Sequence, residues 1–482
     1  MSIVEKRKIS KTKPLKQKSP VKRKTPLSTK IDRIFAQWDN QNSPGMALAV
    51  RQNGKIVYRH GYGMADLDHR IQNAPDTVFH AASLTKQFTA MAIMMLITNP
   101  GLATTPISLN TDVHTLIPEL GGIGNPITIG QMLHHISGIR DQWVLATMAG
   151  WRLSDDVVTR DDVMNRFVGL SKSLNFDPGT QYSYSNTNYT LAAQIVKKVS
   201  GLSLSAFCQQ HIFLPLNMTK TRIIQTHGEI VKDRAYGYRS TPAGGWEVRM
   251  PNYDLTGPTN LQTTVEDLMR WDANFDTMTV GGAAALTAMQ TKAPNSQDYG
   301  LGLFIEYEDG FNIVEHNGRD AGYRSHLIRF PDQKLSIALL CNVALPDDAA
   351  HQTWTLVRNV AALYLNASFS PMPTGPAPPA AGPAPPNLGQ FLGRFYSDEL
   401  DVTYTLGLNT NGSSIAATRD KYATTTLTPL SQADTFMMQN FSVVLPLVKV
   451  TFQRNGGQIT GLTMDDISGG NRLSNFQFSK VP

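Results

Sequence analysis

Residues 83–97 of this 482-residue chain, SLTKQFTAMAIMMLI, are its most informative stretch. A serine and a lysine three positions apart stand directly before an apolar run that predicts one buried helix. Side chains three positions apart at the start of a helix share one face, so the Lys86 amine can reach the Ser83 hydroxyl and take its proton. The same spacing occurs twice in the N-terminal tail, and it also fits a helix cap beside a solvated lysine. The rest of the chain therefore decides what this pair does.

A serine hydroxyl needs a base, because it is a poor nucleophile near neutral pH. Lys86 can act as that base if burial against the apolar side of the helix and a neighbouring cation lower the pKa of its amine. The backbone N–H groups at the start of the helix lie beside Ser83 and can stabilise the negative oxygen of a tetrahedral intermediate. Ser83 is therefore a candidate nucleophile.

A turn at residues 176–186, FDPGTQYSYSN, leads into a second predicted helix. Tyr184 and Asn186 are two positions apart on an extended segment, so both side chains point to the same side. In that arrangement Tyr184 can relay a proton while Asn186 hydrogen-bonds a substrate amide. The alternative is that Tyr184 packs in the core and that Asn186 caps the following helix.

Glu315-His316-Asn317-Gly318 follows a short apolar strand at residues 311–314. A glycine at the end of a strand lets a substrate backbone lie close along it, and His316 is expected to donate a hydrogen bond to the Tyr184 oxygen. A lone histidine is more often a satisfied surface or core residue. The order of the three motifs, serine first and histidine last, makes them more informative together than singly.

The composition is that of an ordinary soluble globular protein, with 41% apolar and 17% charged residues. The formal net charge of +6 belongs to the tail, because residues 1–30 hold 11 of the 44 Lys and Arg and one of the 38 Asp and Glu. The remaining 33 basic and 37 acidic residues give the body a charge of −4. The body therefore lacks the basic excess that is typical of nucleic-acid-binding domains.

Residues 1–30, rich in Lys, Ser and Pro, predict a disordered basic arm. The arm is either solvated without a specific partner or an electrostatic tether to nucleic acid, anionic lipid or an acidic protein. It has no apolar segment of signal-peptide length, and no run reaches the roughly 18 apolar residues of a membrane span. We therefore expect a cytoplasmic protein without a membrane span, in which Cys208 and Cys341 are reduced core residues.

A Pro-, Ala- and Gly-rich stretch at residues 368–386 predicts a semi-rigid linker between two domains. Residues 31–367 carry strand patterns at both ends and helical patterns between them. They predict an antiparallel sheet flanked by helices, with an all-helical region inserted. The predicted strands lie at 46–51, 55–59, 301–306, 311–316, 325–330 and 334–342. Asn53-Gly54 predicts a tight hairpin between the first two.

Residues 387–482 predict a small all-β domain, because short alternating segments are separated by turn signals such as Asn411-Gly412. Eight such strands indicate a closed up-and-down barrel. They are predicted at 401–408, 414–418, 424–430, 435–438, 442–445, 448–454, 459–464 and 475–478. The predicted fold class is therefore α+β, with an all-β barrel after the linker.

Ser83-x-x-Lys86, Tyr184-x-Asn186 and His316-x-Gly318 resemble the three active-site motifs of the serine β-lactamase and penicillin-binding-protein superfamily. The match is closest to its class C-like branch of esterases, D-aminopeptidases and related hydrolases. Supporting segments lie at residues 127–138, 178–184, 214–218 and 299–302, within a similarity that covers roughly residues 32–365. The region after residue 387 resembles the lipocalin-like barrel of some of these hydrolases.

The resemblance implies a role for each matched residue. Ser83 would be the acylated nucleophile, and Lys86 its general-base partner. Tyr184 would pass a proton to the leaving group and later activate the deacylating water. Asn186 would orient the substrate amide. The oxyanion hole would use the backbone N–H groups of Ser83 and Arg319.

One motif departs from the family pattern. His316 stands where many relatives have the lysine of Lys-Thr-Gly, a tripeptide that this chain lacks. The cationic strand that grips the carboxylate of β-lactams is then missing, so we expect weak β-lactamase activity at most. His-x-Gly is instead typical of esterase-like and aminopeptidase-like members. Asn317 takes a position that is often Gly and would narrow the cleft beside Gly318.

The sequence therefore predicts a two-domain serine hydrolase that cleaves a small-molecule or peptide ester or amide, without a metal or an organic cofactor. His134-His135 has no third ligand at a useful spacing, which argues against a metal site. Two rival hypotheses are a catalytically inert scaffold or self-assembling protein of the same fold, and a protein whose basic arm is its main binding device. The oligomeric state is left open.

Overall fold

The computed structural model describes residues 26–344, 349–371, 376–419 and 424–482. The predicted basic arm, with its two Ser-x-x-Lys matches, lies outside these residues except for its last part, and so does part of the predicted linker, residues 372–375. A helix begins at Leu27, inside the segment assigned to the arm. It belongs to the folded body, because Ile31 and Phe35, one turn apart, are both fully buried.

Most α-helices lie between the two groups of strands of the first domain, and one helix stands at each end of that domain. They are α1 (Leu27–Phe35), α2 (Thr85–Thr98), α3 (Ile129–Leu133), α4 (Gln142–Met148), α5 (Arg160–Asp162), α6 (Asn186–Ser200), α7 (Leu204–Cys208), α8 (Val265–Thr277), α9 (Gly282–Met289) and α10 (Ala349–Leu365). Helices α5 and α7 continue as π-helical segments at Val163–Val168 and Gln209–Phe213. Cys208 and Cys341 are buried and form no disulfide.

The strands of the first domain are β1 (Met46–Gln52), β2 (Lys55–Tyr62), β3 (Met64–Asp66), β4 (Ile71–Gln72), β5 (Phe79–His80), β6 (Val158–Thr159), β7 (Arg222–Ile223), β8 (Tyr238–Ser240), β9 (Trp246–Val248), β10 (Tyr253–Asp254), β11 (Leu261–Thr263), β12 (Phe304–Glu308), β13 (Phe311–Asp320), β14 (Tyr323–Phe330), β15 (Leu335–Cys341) and β16 (Val343–Ala344). Six of them form one antiparallel sheet in the order β12-β13-β14-β15-β1-β2. The sheet predicted from both ends of the domain is confirmed. The hairpin β1–β2 turns at Asn53 and Gly54, whose φ angles are 50° and 80°, as a tight hairpin turn requires.

Helices cover both faces of this sheet. Helices α1 and α10 pack on one face, where Leu339 of β15 belongs to the same core as Ile31 and Val357. The neighbouring Leu340 points to the opposite face and joins the core of the helical region. A strand buried on both faces is apolar at nearly every position, which explains the continuous apolar run of β15.

Helix α2 lies at the centre of the helical region. Its residues Phe88, Met91 and Ile93 are fully buried, and each such side chain contributes about 1.5–3 kcal/mol to the free energy of unfolding. The Phe88 ring packs against Trp271 of α8 with 4.6 Å between centroids, and against Phe213 with 5.4 Å. The helix that follows the Ser-x-x-Lys motif is therefore a fixed part of the core.

After the linker, eight antiparallel strands of the described residues close into a barrel. They are β17 (Gly393–Ser397), β18 (Val402–Leu408), β19 (Ile415–Thr418), β20 (Thr425–Pro429), β21 (Thr435–Gln439), β22 (Leu447–Asn455), β23 (Gln458–Asp466) and β24 (Phe476–Val481). The barrel fold is confirmed, but the strand predicted at 442–445 is a turn, in which Ser442 and Leu445 bond to each other. Strand β17 completes the barrel instead. Its pairing with β24, at the far end of the domain, has no local signal in the sequence.

The barrel docks on the helical region of the first domain. The Arg140 guanidinium pairs with Glu399 at 2.5 Å, and both side chains are largely buried. The Tyr404 hydroxyl donates a hydrogen bond to the Met148 carbonyl at 2.9 Å. The two domains therefore share a polar interface as well as apolar contacts.

The loop between β23 and β24, residues 467–475, is called the barrel loop below. Asn175 of the first domain holds its backbone at two points, donating to the Arg472 carbonyl at 3.0 Å and accepting the Ser474 N–H at 3.1 Å. These contacts fix the loop beside the segment that carries Tyr184. In the described ranges, no helix combines the length and the apolar character that crossing a bilayer requires.

Candidate active site

Ser83 lies in a tight turn, Ala82–Leu84, that continues directly into α2. Ala82 has a φ of 47°, a left-handed conformation that is strained for a residue with a side chain. The preceding carbonyl, that of Ala81, accepts a hydrogen bond from the Ser325 hydroxyl of β14 at 2.8 Å. The turn is therefore fixed against the sheet, and Ser83 has a defined position at the start of α2.

The structure brings the predicted nucleophile, base and tyrosine together. Lys86 Nζ lies 2.9 Å from Ser83 Oγ, and the Tyr184 hydroxyl lies 3.0 Å from the same oxygen. Tyr184 stands just before α6, in a segment 101 residues further along the chain. Both distances are hydrogen-bond distances, so a proton can pass between these groups without rearrangement of the protein.

Lys86 is fully buried, and this burial lowers the pKa of its amine to about 7. The charges of Asp141 and Asp320 act in the opposite direction, whereas the positive charge of Arg472 adds to the lowering. A large share of Lys86 is therefore unprotonated near neutral pH. These are the two conditions, burial and a neighbouring cation, that the sequence set for Lys86 as a base.

Two further acceptors fix the direction of the Lys86 lone pair. Nζ lies 2.8 Å from Asn186 Oδ1 and 3.0 Å from the Pro258 carbonyl oxygen. An unprotonated amine has two hydrogens, and both go to these acceptors because neither oxygen can donate. The lone pair is then left facing the Ser83 hydroxyl.

Asn186 is held from its other side by Asp141. One Asp141 oxygen accepts the Asn186 backbone N–H at 2.6 Å and its side-chain N–H at 2.7 Å, and the other caps α4 through the Trp143 N–H at 2.9 Å. Both ends of the Asn186 amide are thus engaged within the protein, although its spacing predicted a contact with substrate. Asp141 was not among the predicted site residues, but an Asp directly before an apolar segment is a helix-cap signal that marks it.

Tyr184 is held in the opposite protonation state from Lys86. Burial raises the pKa of its phenol well above the ordinary value, so the phenol keeps its proton at neutral pH. Its ring packs on His135 with 4.3 Å between centroids. Burial holds the pKa of His135 well below its ordinary value, so this ring is neutral and its Nδ1 accepts the Ser185 N–H at 3.1 Å. Lys86 can therefore accept a proton while Tyr184 can donate one.

His316 does not bond to Tyr184, so that prediction is wrong. Its Nδ1 lies 2.6 Å from the Asn317 carbonyl oxygen, and its Nε2 lies 2.9 Å from the Tyr299 hydroxyl. A carbonyl oxygen only accepts, so Nδ1 carries the ring proton and Nε2 accepts from Tyr299. Burial and the charge of Lys86 lower the pKa of His316 to about 3. The His316 ring is therefore neutral, because burial and the positive charge of Lys86 both disfavour its protonated form.

Gly318 lies where β13 passes the tight turn Ala82–Leu84, which is called the nucleophile turn below. A Cβ at this position would lie 2.6 Å from the Ala81 carbonyl oxygen and 3.0 Å from the Ala82 Cβ, so a larger residue does not fit. Strand β12 pairs with β13 only as far as Glu315. Within the described residues, the backbone at 317–319 therefore has no strand on its β12 side. Asn317 and Arg319 flank Gly318 along this free edge, where an extended substrate can pair.

Arg472 of the barrel loop also reaches the site. Its guanidinium carbon lies 5.7 Å from the centroid of the Tyr184 ring. Beside it, Asn471 donates to the Gln181 side-chain oxygen at 3.1 Å, a contact across 290 residues of sequence. The barrel therefore covers one side of the cleft. The sequence carries no signal for this contact, because it depends on how two separate domains dock.

His134 and His135 make structural contacts within the protein. The two ring nitrogens of His134 lie 2.8 Å from the Gly130 carbonyl oxygen and 3.1 Å from that of Thr291. His135 packs on Tyr184 as described above. In the part of the chain that the structure describes, no group of three or more His, Cys, Asp or Glu side chains is arranged to hold a metal ion.

Comparison with known proteins gives the family. A family model described as Beta-lactamase matches residues 31–362. The chain therefore belongs to the Beta-lactamase family of serine β-lactamase and penicillin-binding-protein-like proteins. The D-aminopeptidase of Gluconobacter oxydans (strain 621H) is 29% identical to it over 304 residues, which are 62% of this chain and 56% of that protein. The chain thus spans little more than half the length of this relative.

Two solved structures share the fold. The octameric penicillin-binding protein homologue from Pyrococcus abyssi matches with a TM-score of 0.58 at 22% identity, over 94% of this chain and 99% of that one. The D-amino acid amidase from Ochrobactrum anthropi SV3 matches with a TM-score of 0.59 at 21% identity, over 70% of this chain and 99% of that one. The first match extends over both domains.

Proposed function

We propose that this protein is a serine hydrolase that cleaves an amide, peptide or ester bond through an acyl-enzyme on Ser83. The observation that carries the proposal is the meeting of a base and an acid at one oxygen. Lys86 Nζ and the Tyr184 hydroxyl lie 2.9 Å and 3.0 Å from Ser83 Oγ. Their pKa values are shifted in opposite directions, which suits one to accept and the other to donate a proton.

In the acylation step, unprotonated Lys86 takes the Ser83 proton while Oγ forms a bond to the substrate carbonyl carbon. The negative oxygen of the tetrahedral intermediate is stabilised by the backbone N–H groups of Ser83 and Arg319. The bond from carbon to the leaving nitrogen or oxygen then breaks. Tyr184 gives its proton to the leaving group, and the proton held by Lys86 restores the phenol.

In the deacylation step, a water molecule replaces the leaving group. Tyr184, relaying to Lys86, takes a proton from this water while its oxygen bonds to the acyl carbon. The bond between that carbon and Ser83 Oγ breaks, and the proton returns to Ser83. The cycle releases a carboxylic acid and leaves the enzyme unchanged.

The remaining predicted residues support these groups. We assign Asn186 to the positioning of Lys86, and Asp141 to the positioning of Asn186, because their contacts form one chain of hydrogen bonds. His316 holds the Tyr299 hydroxyl. Gly318 and its neighbours Asn317 and Arg319 are assigned to the substrate backbone, along the free edge of β13.

The relatives support an amide or peptide substrate with a D-configured residue on its acyl side. A D-aminopeptidase is among the similar proteins, and a D-amino acid amidase shares the fold. The absence of Lys-Thr-Gly argues against a β-lactam as the main substrate, because it removes the cationic contact expected of a β-lactamase.

Turnover of a panel of D-amino acid amides and p-nitrophenyl esters tests this function. Ser83→Ala should reduce turnover to the uncatalysed rate, because no acyl-enzyme can form. Ser19→Ala, which removes the serine of a tail Ser-x-x-Lys match, is the control and should turn over normally. Full turnover by Ser83→Ala would contradict the mechanism. No reaction by the native chain with any substrate or with a fluorophosphonate would favour an inert scaffold.

A further inference from the structure

Residues 257–261, called the acceptor segment below, run beside the base of the candidate site. The Pro258 carbonyl oxygen accepts a hydrogen bond from Lys86 at 3.0 Å. Three positions further on, the Leu261 carbonyl oxygen accepts the Ala81 N–H at 2.8 Å. The acceptor segment therefore contacts both Lys86 and the residue that leads into the nucleophile turn.

Asp320, the last residue of β13, joins the acceptor segment to the strand before the nucleophile turn. Its Oδ2 accepts the Thr259 hydroxyl at 3.0 Å and lies 2.9 Å from His80 Nε2. A carboxylate oxygen only accepts, so both groups donate to it. Thr259 directly follows Pro258, and His80 stands three positions before Ser83. One carboxylate oxygen thus holds three pieces of chain that are far apart in the sequence.

The groups around this carboxylate are largely buried. His80 and Thr259 are 1% and 6% exposed, and the Asp320 side chain is 18% exposed. The other ring nitrogen of His80, Nδ1, lies 3.0 Å from Gln262 Nε2, and the ring packs on Tyr323 with 5.5 Å between centroids. Hydrogen bonds to a charged acceptor are stronger than neutral ones, and a dry environment strengthens them further. These contacts therefore fix the positions of the three pieces of chain.

The charge of Asp320 also acts on Lys86. Burial lowers the pKa of the Lys86 amine, and the negative charges of Asp141 and Asp320 oppose this lowering. Both charges favour the ammonium, which is the form that Lys86 takes after it accepts the Ser83 proton. Other titratable or charged groups face Lys86 or Asp320 from the surrounding elements: His135 after α3, Tyr184 and Tyr189 at the start of α6, His316 on β13, Arg324 on β14, His80 on β5 and Arg472 of the barrel loop.

We propose that Asp320 is a positioning residue for Ser83 and Lys86. The inference rests on the proposed function, in which Lys86 takes the Ser83 proton. Through Thr259, Asp320 holds the acceptor segment where its carbonyl group directs the Lys86 amine. Through His80, it holds the strand that leads to Ser83. Because Asp320 belongs to β13, the nucleophile and its base are fixed relative to the strand assigned to the substrate.

Asp320→Asn and Asp320→Ala separate the charge of this residue from its contacts. The readout is the rate at which a neutral fluorophosphonate labels Ser83 in the full chain, from about pH 5 to about pH 9. The Asn oxygen can accept both hydrogen bonds, so Asp320→Asn should keep the rate at high pH. The midpoint of its pH profile should move to lower pH, because a charge that favours protonated Lys86 is lost. Asp320→Ala also loses the contacts, so its rate at high pH should fall about tenfold to a hundredfold.

Thr259→Val and Thr259→Ser test the contact with the acceptor segment. Valine has a similar shape but no hydroxyl, so the rate at high pH should fall about tenfold. Serine keeps the hydroxyl and should restore most of the rate. Asp332→Asn is the control on the same sheet. It removes an exposed carboxylate that accepts from Asn312, and its rate and midpoint should equal those of the native chain.

The outcomes distinguish this inference from the proposed function. A native chain that reacts with the fluorophosphonate, together with an unmoved midpoint in Asp320→Asn, overturns the positioning role and leaves the proposed function standing. An unchanged rate in a folded Asp320→Ala, or equal losses in Thr259→Val and Thr259→Ser, overturns it as well. The midpoint of Asp320→Asn decides the question even if Asp320→Ala does not fold. A native chain that does not react overturns the proposed function and this inference with it.

Discussion

Lys86 connects proton transfer to the stability of the fold. The unfolded chain keeps this proton up to the ordinary lysine pKa of 10.5, whereas the folded chain loses it at about 7. Between these values the unfolded state binds more protons, so the contribution of Lys86 to stability rises with pH. The buried Lys86 amine therefore makes the fold less stable at neutral pH than an apolar side chain at position 86 would. The same burial provides an unprotonated base next to Ser83.

The pH dependence of acylation follows from the Lys86 pKa. Because the base is the unprotonated amine, the rate of Ser83 acylation by an ester should rise about tenfold per pH unit below pH 7 and level off above it. Single-turnover measurements across this range give the profile. A rate that does not change with pH through this region would contradict the role of Lys86.

The site lies where β13, the nucleophile turn and α6 meet. Strand β13 approaches the turn closely only because residue 318 has no side chain. Helix α6 begins at Asn186, directly after the extended segment that carries Tyr184. The positions of Ser83, Lys86 and Tyr184 are therefore set by backbone packing rather than by flexible side chains.

Gly318→Ala tests this packing. The added Cβ would lie 2.2 Å from the Ser325 Oγ and 2.6 Å from the Ala81 carbonyl oxygen, so β13 or the turn has to move. We expect a loss of about 1–3 kcal/mol in the free energy of unfolding and about a hundredfold loss in kcat/KM. Thermal denaturation and ester hydrolysis measure the two effects.

Gly407→Ala is the matched control. It adds the same group to a barrel strand where no atom lies within 4 Å, so stability and activity should be nearly unchanged. Because both variants add one methyl group to a strand glycine, a difference between them reports the close approach at Gly318 rather than the loss of a glycine. Full activity of Gly318→Ala would show that β13 does not have to lie this close to the turn.

Most of the elements, and the candidate residues Ser83, Lys86 and Tyr184, were predictable because their signals are local. Residues 83–97 predicted a buried helix behind Ser83, and the spacing of Tyr184 and Asn186 predicted their common side. The partner of His316 was not predictable, because Tyr299 reaches it through the tertiary packing of several aromatic rings. Arg472 was not predictable either, because it comes from the other domain.

The two domains together form one cleft. The barrel is held by the buried pair Arg140–Glu399 and carries Arg472 toward Tyr184. A catalytic domain with a separate covering domain can change its substrate range through the covering loop alone.

Glu399→Gln tests the docking of the barrel. It leaves the buried Arg140 guanidinium without its counter-ion, which should cost about 3 kcal/mol or more at the interface. We expect faster proteolysis of the barrel loop, with Ser83 still reactive toward a fluorophosphonate. Asp398→Asn, which breaks the exposed pair with Lys172, is the control and should cost about 0–1 kcal/mol. Equal rates of proteolysis in Glu399→Gln and Asp398→Asn would contradict a role of the Arg140–Glu399 pair in holding the barrel.

Mass spectrometry of the intact chain and of its proteolytic peptides can detect acylation of Ser83. The native chain is mixed with esters, D-amino acid amides and β-lactams, quenched and digested. We predict a mass increase equal to the acyl group, located on the peptide that contains Ser83 and absent from Ser83→Ala. An adduct on another residue, or turnover that persists in Ser83→Ala, would contradict acylation of Ser83.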